Sequence, residues 1–324
     1  MFQDIEGKIT YEYRPAEATD FLVLINEGKP ALTEEGFLPT LAESGFTPAP
    51  AEGGSAASEA AGGLPGAGQP VTLSSAADVL SEEDSYFLQY LLTYGDKAFY
   101  ALLPTGSSPT ALFLAGPVKL EYRAMRTLFV SEDQGLHFAA ATACHLAVWY
   151  RNNQYCGRCG QMLLPADNDR ALVCPSCGLE IFPSIAPVVI VGVLYNGKIL
   201  LTRYADPRGY RRHALVAGFC EIGEAFEDTV RREVYEEAGL HVRNITYYKS
   251  QPWAFSQSLL AGFFCEAEDD RITINTDGRG ELSEAAFYAP EEITAEDNAL
   301  ALTWTMIRDF CRDPEAVAAL VRGK

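Results

Sequence analysis

The chain has 324 residues, is 48% hydrophobic and 21% charged, and carries a formal net charge of −19; that is the length of two or three domains with real cores and the composition of a soluble globular protein. The acidity disfavours nonspecific binding to DNA, to other nucleic acid and to anionic membrane. No uninterrupted apolar run reaches the ~20 residues that span a bilayer, and the acidic start from Met1 to Glu6 lacks the basic and apolar regions of a secretory leader, so the expected location is cytoplasmic.

Residues 1 to about 47 mix aromatic and aliphatic residues with turn formers. Within them Tyr11-Glu12-Tyr13 and Phe21-Leu22-Val23-Leu24-Ile25 have the look of short strands. Residues 48–70 are almost all Ala, Gly, Pro, Ser and Glu, cannot bury a core and imply a disordered insertion. Strand patterning resumes at 98–103, 111–114 and 117–122, and an Ala-rich helix is expected over 135–152. Residues 1–150 therefore suggest an α+β domain.

Next come Cys156-Gly-Arg-Cys159 and Cys174-Pro-Ser-Cys177, two C-x2-C knuckles fourteen residues apart. This spacing is a strong signal for tetrahedral Zn²⁺ held by four thiolates. Four protein ligands close the coordination sphere, so the zinc would be structural. Gly160 and Gly178 follow the knuckles and allow the turn that aims backbone amides at sulfur. Two disulfides or a redox pair are the competing reading, and nothing suggests an oxidising compartment. The ribbon is assigned to 151–184; between its knuckles it offers one cation, Arg170, against Asp167 and Asp169, a poor surface for phosphates.

From Pro187 the pattern changes. An apolar strand at 188–195, the hairpin signal Asn196-Gly197 and a return strand at 198–203 are followed by a loop and a helix. Strands near 242–249 and 258–266 and a last helix over 296–311 complete the order. Such an order suits an α/β/α sandwich with a mixed sheet, assigned to 185–324. Arg208, Arg211, Arg212 and His213 form a cationic cluster that is either a solvated loop or a phosphate-steering element.

The segment from Gly218 to Leu240 reads GFCEIGEAFEDTVRREVYEEAGL. On a helix Glu233, Glu236 and Glu237 fall at i, i+3 and i+4, on one face. Like charges that close destabilise a helix unless a cation sits among them, and hard oxygen donors suit Mg²⁺ or Mn²⁺ shared with substrate phosphates. An acidic face is ordinarily a solvated one, but here Gly218 and Gly223 make a loop before the helix and Gly239 is placed to end it. Arg232, eight residues after Glu224, is spaced to brace loop against helix. The stretch has the form G-x5-E-x7-R-E-U-x-E-E-x-G-U, with U aliphatic, and resembles the signature of the Nudix hydrolases at every fixed position. The resemblance implies the Nudix fold, divalent metal bound by Glu233, Glu236 and Glu237, water activation by Glu237 or a neighbouring carboxylate, and structural roles for Gly218, Glu224 and Arg232.

Ser250-Gln-Pro-Trp-Ala-Phe-Ser-Gln-Ser258 follows the helix. By itself it suits a loop anchored by core aromatics. Beside a zinc ribbon and a Nudix box it resembles the S-Q-P-W-P-F-P-x-S segment of the NADH pyrophosphatase branch, departing from it at Ala254 and Ser256. Two lost prolines should loosen the loop. The resemblance implies a pocket in which Phe219 and Trp253 sandwich the nicotinamide and Gln251 serves the substrate. Phe182 and Asp169 would lie near the pocket, and a small residue, Ala301, would line it. It implies a further metal carboxylate at Glu281 of Glu-Leu-Ser-Glu-Ala, a homodimer, and hydrolysis of NADH or NAD⁺ to AMP and nicotinamide mononucleotide. Removal of NAD caps from RNA 5′ ends, a broader action on ADP-ribose and other dinucleotides, and a non-catalytic nucleotide sensor are the alternatives; the intact carboxylates argue against the last.

Overall fold

The computed structural model describes residues 9–44, 69–70, 85–105, 118–128, 133–166, 169–205, 212–294 and 301–323. The chain divides into two compact units that part between Ser184 and Ile185. The expected strand at 111–114, nearly all of the insertion at 48–70, and Arg208 and Arg211 of the cationic cluster lie outside the described residues. No described helix is long and apolar enough to cross a membrane.

The unit that ends at Ser184 is built on an antiparallel hairpin, Ser85–Tyr94 with Lys97–Thr105, to which Phe21–Val23 adds in parallel. Its helix, Gln134–Asn152, starts where the Asp133 carboxylate accepts from the amides of Gly135 and Leu136 at 2.8 and 3.2 Å. Ala139, Ala140, Ala143 and Ala147 are buried along it and let it lie close to the hairpin. Tyr11 and Tyr13 are not in a strand; pairing stops at Ile9–Thr10. The expected strand at 117–122 shrinks to Glu121–Tyr122. Ser85–Tyr94 was not expected, because a nearly continuous apolar run has no period to read.

The ribbon in this unit is a three-stranded antiparallel sheet of Leu164–Pro165, Leu172–Val173 and Glu180–Ile181.

In the second unit we label the strands β1 (Ala186–Tyr195), β2 (Lys198–Tyr204), β3 (Val216–Phe219), β4 (Val242–Trp253), β5 (Ser258–Ala267) and β6 (Leu282–Tyr288). The helices are α1 (Phe226–Ala238), α2 (Leu302–Arg312) and α3 (Pro314–Arg322). The sheet runs β4-β5-β1-β2-β6, with β3 also on β1. Only β1 and β5 are parallel, so the sheet is mixed. Asn196 and Gly197 make the β1–β2 turn with φ of 46° and 77°.

Alternation along β1 builds two cores. Val188, Ile190 and Leu194 face Met306, Ile307 and Phe310 of α2 and Val317 and Val321 of α3. Val189, Val191 and Val193 face Val230, Val234 and Ala238, which recur every fourth residue on α1. Each such valine contributes about 1.5–3 kcal/mol on burial. The layers are thus helix, sheet and helix. The last helix expected, over 296–311, is α2, with 296–300 outside the described residues, and α3 is a further helix that was not expected: Asp313 accepts from Ala316 N–H at 2.9 Å to start it, and Pro314, which has no N–H, cannot continue α2.

Candidate active site

The fold brings the Glu-rich face of α1 to the end of β3. Gly218 of β3 lies directly beneath Glu233, and a Cβ there would fall inside the Glu233 carboxylate. The close approach of strand and helix thus requires glycine at this position. Arg232 ties the loop to the helix. Its guanidinium donates to both Glu224 oxygens at 2.6 and 2.9 Å, to Glu233 at 2.6 Å and to the Phe219 carbonyl at 2.9 Å, and lies 3.4 Å from Glu236. Glu224 also accepts from the Glu221 amide and the Thr229 hydroxyl at 3.0 and 2.8 Å. These bonds, Arg232 foremost, hold its carboxyl down at about 2.

Glu237 is the outlier. It is only 8% exposed, and its Oε2 is buried with no hydrogen-bond partner. Burial, then the charge of Glu233, pushes its carboxyl up to about 8; Glu281 and Asp277 push the same way. Burial also raises Glu233, against the pull of Arg232. A buried acceptor facing three other carboxylates is costly unless a cation shares the space. Hard carboxylate oxygens fit Mg²⁺ or Mn²⁺. Glu233, Glu236, Glu237 and Glu281 do not converge to the 4.8 Å that marks the cysteine cluster, the one group of potential ligands that close among the described residues. Arg232 holds two of them, Glu233 at 2.6 Å and Glu236 at 3.4 Å.

The other expected pocket residues separate into groups. Phe219 is 54% exposed at the end of β3 and pairs with Val188. Trp253 ends β4, packs on the α2-side core and meets the Phe255 ring edge-to-face with centroids 4.9 Å apart. The register Phe219–Val188–Leu260–Gln251 crosses β3, β1, β5 and β4 in one row. Three strand steps, roughly 14 Å, therefore separate the backbones of Phe219 and Gln251. Trp253 and Ala301 both pack against the α2-side cluster. Gln251 is 0% exposed, and its amide oxygen accepts from Leu302 N–H at 2.7 Å. That bond anchors the first turn of α2, a structural duty the sequence did not reveal.

The segment expected as a loop at Ser250 to Trp253 is strand. Ala254–Ser256, which holds both departures from the S-Q-P-W-P-F-P-x-S segment, forms a 3-10 turn. The Ser258 hydroxyl donates to the Ser256 carbonyl at 2.9 Å and lies 2.9 Å from the Ser256 hydroxyl. These bonds supply locally some of the restraint that proline would give. Phe182 and Asp169 belong to the other unit. Phe182 is exposed just after the last ribbon strand, and the Asp169 carbonyl accepts from Ala171 N–H at 2.8 Å.

In the ribbon all four Sγ atoms lie within 4.8 Å of one another. Cys156 and Cys177 are 3.6 Å apart and Cys159 and Cys174 are 3.4 Å apart, all as free thiols. Amides of Arg158 and Cys177 donate to Cys156 and Cys174 sulfurs at 3.4 Å each. Disulfide contact would need S–S near 2.05 Å, whereas tetrahedral zinc with Zn–S of about 2.3 Å needs sulfurs roughly 3.8 Å apart. The cluster fits a closed structural zinc site.

The NUDIX domain family pattern matches residues 186–310, and that of the NADH pyrophosphatase zinc ribbon domain matches 151–182. A protein of Escherichia coli (strain SMS-3-5 / SECEC), named NAD-capped RNA hydrolase NudC, is 34% identical over 222 residues, 66% of this chain and 85% of the relative. The chain belongs to the Nudix hydrolase family. A protein of the same name from Salmonella heidelberg is 38% identical over 164 residues, 51% of this chain and 62% of that protein. That alignment thus takes in less than two thirds of the Salmonella relative. A solved Nudix hydrolase structure from Nitrosomonas europaea superimposes with a TM-score of 0.43 at 20% identity, over 50% of this chain and 93% of that one.

Proposed function

We propose that this Nudix hydrolase cleaves the diphosphate of NADH or NAD⁺ to AMP and nicotinamide mononucleotide, with Mg²⁺ or Mn²⁺ held by Glu233, Glu236, Glu237 and Glu281. The observation that carries this reading is the buried, partnerless Oε2 of Glu237 beside Glu233, over a strand with no side chain in the way. When bound, the cation neutralises phosphate charge and lowers the pKa of water. Arg232 keeps Glu233 aimed at the end of β3. Glu237, beside Glu233 at the space the cation would fill, is the group suited to take the proton from the attacking water. Phe219 and Trp253 offer flat surfaces for one ring of the dinucleotide, which fixes the phosphorus that reacts.

Removal of NAD caps from RNA is the second reading, favoured by the name of the relatives at 34–38% identity. The chemistry is unchanged, with RNA replacing the adenosine end. The same reading implies a cytoplasmic homodimer.

Initial rates on NADH, ADP-ribose and an NAD-capped RNA, in Mg²⁺ or Mn²⁺, test it. Nicotinamide mononucleotide released well above the ADP-ribose rate supports nicotinamide selection, and the faster of NADH and capped RNA names the substrate. Equal rates on ADP-ribose would remove the nicotinamide from the reading. No turnover in either metal would leave a nucleotide sensor.

A further inference from the structure

The last turn of α1 is received by a single loop. Gly239, at φ 70°, ends the helix and donates to the Tyr235 carbonyl at 2.8 Å. The amides of Thr273, Asn275 and Thr276 then donate to the carbonyls of Ala238, Glu237 and Glu236 at 2.9, 3.1 and 2.8 Å. The Thr276 hydroxyl adds a bond to the Tyr235 carbonyl at 2.8 Å. Every carbonyl that a helix end leaves open is met here by the segment 273–276 or by the Gly239 amide.

Asn275 does more than cap. Its side-chain oxygen accepts from Leu282 N–H at 2.9 Å, and its side-chain nitrogen donates to the Leu282 carbonyl at 2.8 Å. One residue therefore grips the backbone of Glu237 through its own amide and the backbone just after Glu281 through its side chain. The Glu281 carbonyl is held from the other side by Ala205 N–H at 2.8 Å. Asn275 itself sits at φ 57°, a region asparagine tolerates better than most residues.

The geometry points to Asn275 as a positioning residue that fixes the separation between the α1 carboxylates and Glu281. The inference rests on the reading that these carboxylates share a divalent cation. Partners that orient metal-binding groups typically change affinity or activity by about 10–100-fold when lost. Asn275 acts through Glu281 and does not touch substrate. Its loss should therefore lower kcat and metal affinity and leave KM for NADH alone.

The deciding variant is Asn275→Gly. Glycine keeps the positive φ at no steric cost and removes only the side-chain grip. Mn²⁺ affinity of the zinc-loaded protein, by electron paramagnetic resonance, is read beside kcat and KM for NADH. The expected result is a roughly 10-fold weaker Mn²⁺ affinity and a similar fall in kcat, with KM within about twofold. Glu281→Gln should show the same pattern, and the double variant should lose no more than Glu281→Gln alone. Thr276→Val, which keeps the volume and removes only the hydroxyl bonds, should move the same quantities by a smaller factor. It decides the matter if Asn275→Gly does not fold. Wild-type Mn²⁺ affinity in Asn275→Gly, or losses that multiply in the double variant, would overturn the inference; so would Glu281→Gln binding Mn²⁺ as the wild type does. A wild-type protein that hydrolyses no dinucleotide would sink the proposed function instead, and the Mn²⁺ affinities would still judge Asn275.

Discussion

The chain holds a zinc-binding cysteine cluster and a group of carboxylates proposed to bind a divalent cation, and the two are organised in opposite ways. In the ribbon four sulfurs face one another within 4.8 Å, with backbone amides already aimed at two of them. Around α1 the carboxylates are not gathered in that way, and two of them lean on Arg232. Thiols are neutral when protonated and can crowd; carboxylates at neutral pH cannot without a cation. The first arrangement closes a coordination sphere, as a structural ion needs. The second, on the function proposed above, would leave positions for water and phosphate, as catalysis needs.

The largest effect should come from breaking the closed cluster. Cys174→Ser removes one of four zinc ligands, and structural zinc carries an apparent binding free energy of about 10–16 kcal/mol. Zinc content by elemental analysis should fall from one ion per chain to near none, and limited proteolysis should cut within the ribbon. Full zinc retention by Cys174→Ser would show that the four sulfurs are not acting together.

Breaking the open cluster should leave the fold and remove the chemistry. Glu237→Gln keeps the shape and removes the charge and the proton acceptor, and kcat should fall by about 10²–10⁴-fold. Burial raises the Glu237 carboxyl, so the isosteric amide should be neutral or favourable for stability. Thermal melting that stays level or rises while kcat collapses is the expected pair of readings. A kcat within threefold of wild type would move the proton acceptor to another carboxylate.

The two clusters were also unequally legible. The cysteine knuckles, the spacing of Glu233, Glu236 and Glu237, and the Glu224–Arg232 brace are all local in sequence, and local spacing is what periodicity reads. What escaped depends on distant partners. Gln251 anchors Leu302, 51 positions away, and no pattern around Gln251 says so. Asn275 reaches the end of α1 and the start of β6, and its neighbours Asp277 and Gly278 announce only a turn. The start of α3, which was not expected, was readable from Asp313-Pro314, a cap followed by a residue without an N–H. Tyr11 and Tyr13 have strand composition and no strand partner, since composition alone does not supply a neighbour to pair with.

Trp253 tests what the proposed site selects. Trp253→Ala removes a stacking surface worth about 1–3 kcal/mol, or roughly 5–150-fold in binding. KM for NADH should rise by a factor in that range, with kcat changed less. ADP-ribose, which lacks the nicotinamide, should be little affected. An equal rise for both substrates would place Trp253 under the adenine end or in the core alone.

The smallest effect concerns the brace between loop and helix, and it is a matter of pH. Arg232, with the Glu221 amide and the Thr229 hydroxyl, holds the Glu224 carboxyl at about 2, below its ordinary value of about 4.3. A carboxyl depressed in the folded state stabilises it above the unfolded pKa, and the contribution disappears as pH falls toward the folded pKa. Glu224→Gln cannot titrate. The side chain is 19% exposed, so solvent screening keeps the difference modest. Urea midpoints of wild type and Glu224→Gln, taken from pH 6 down to pH 2.5, should differ most at the upper end and converge below about pH 4, as the wild type alone loses this term. Protonation of other groups affects both proteins and cancels in the difference. A constant gap across the range would mean that Glu224 contributes by packing and hydrogen bonding alone, with no share from its charge beside Arg232.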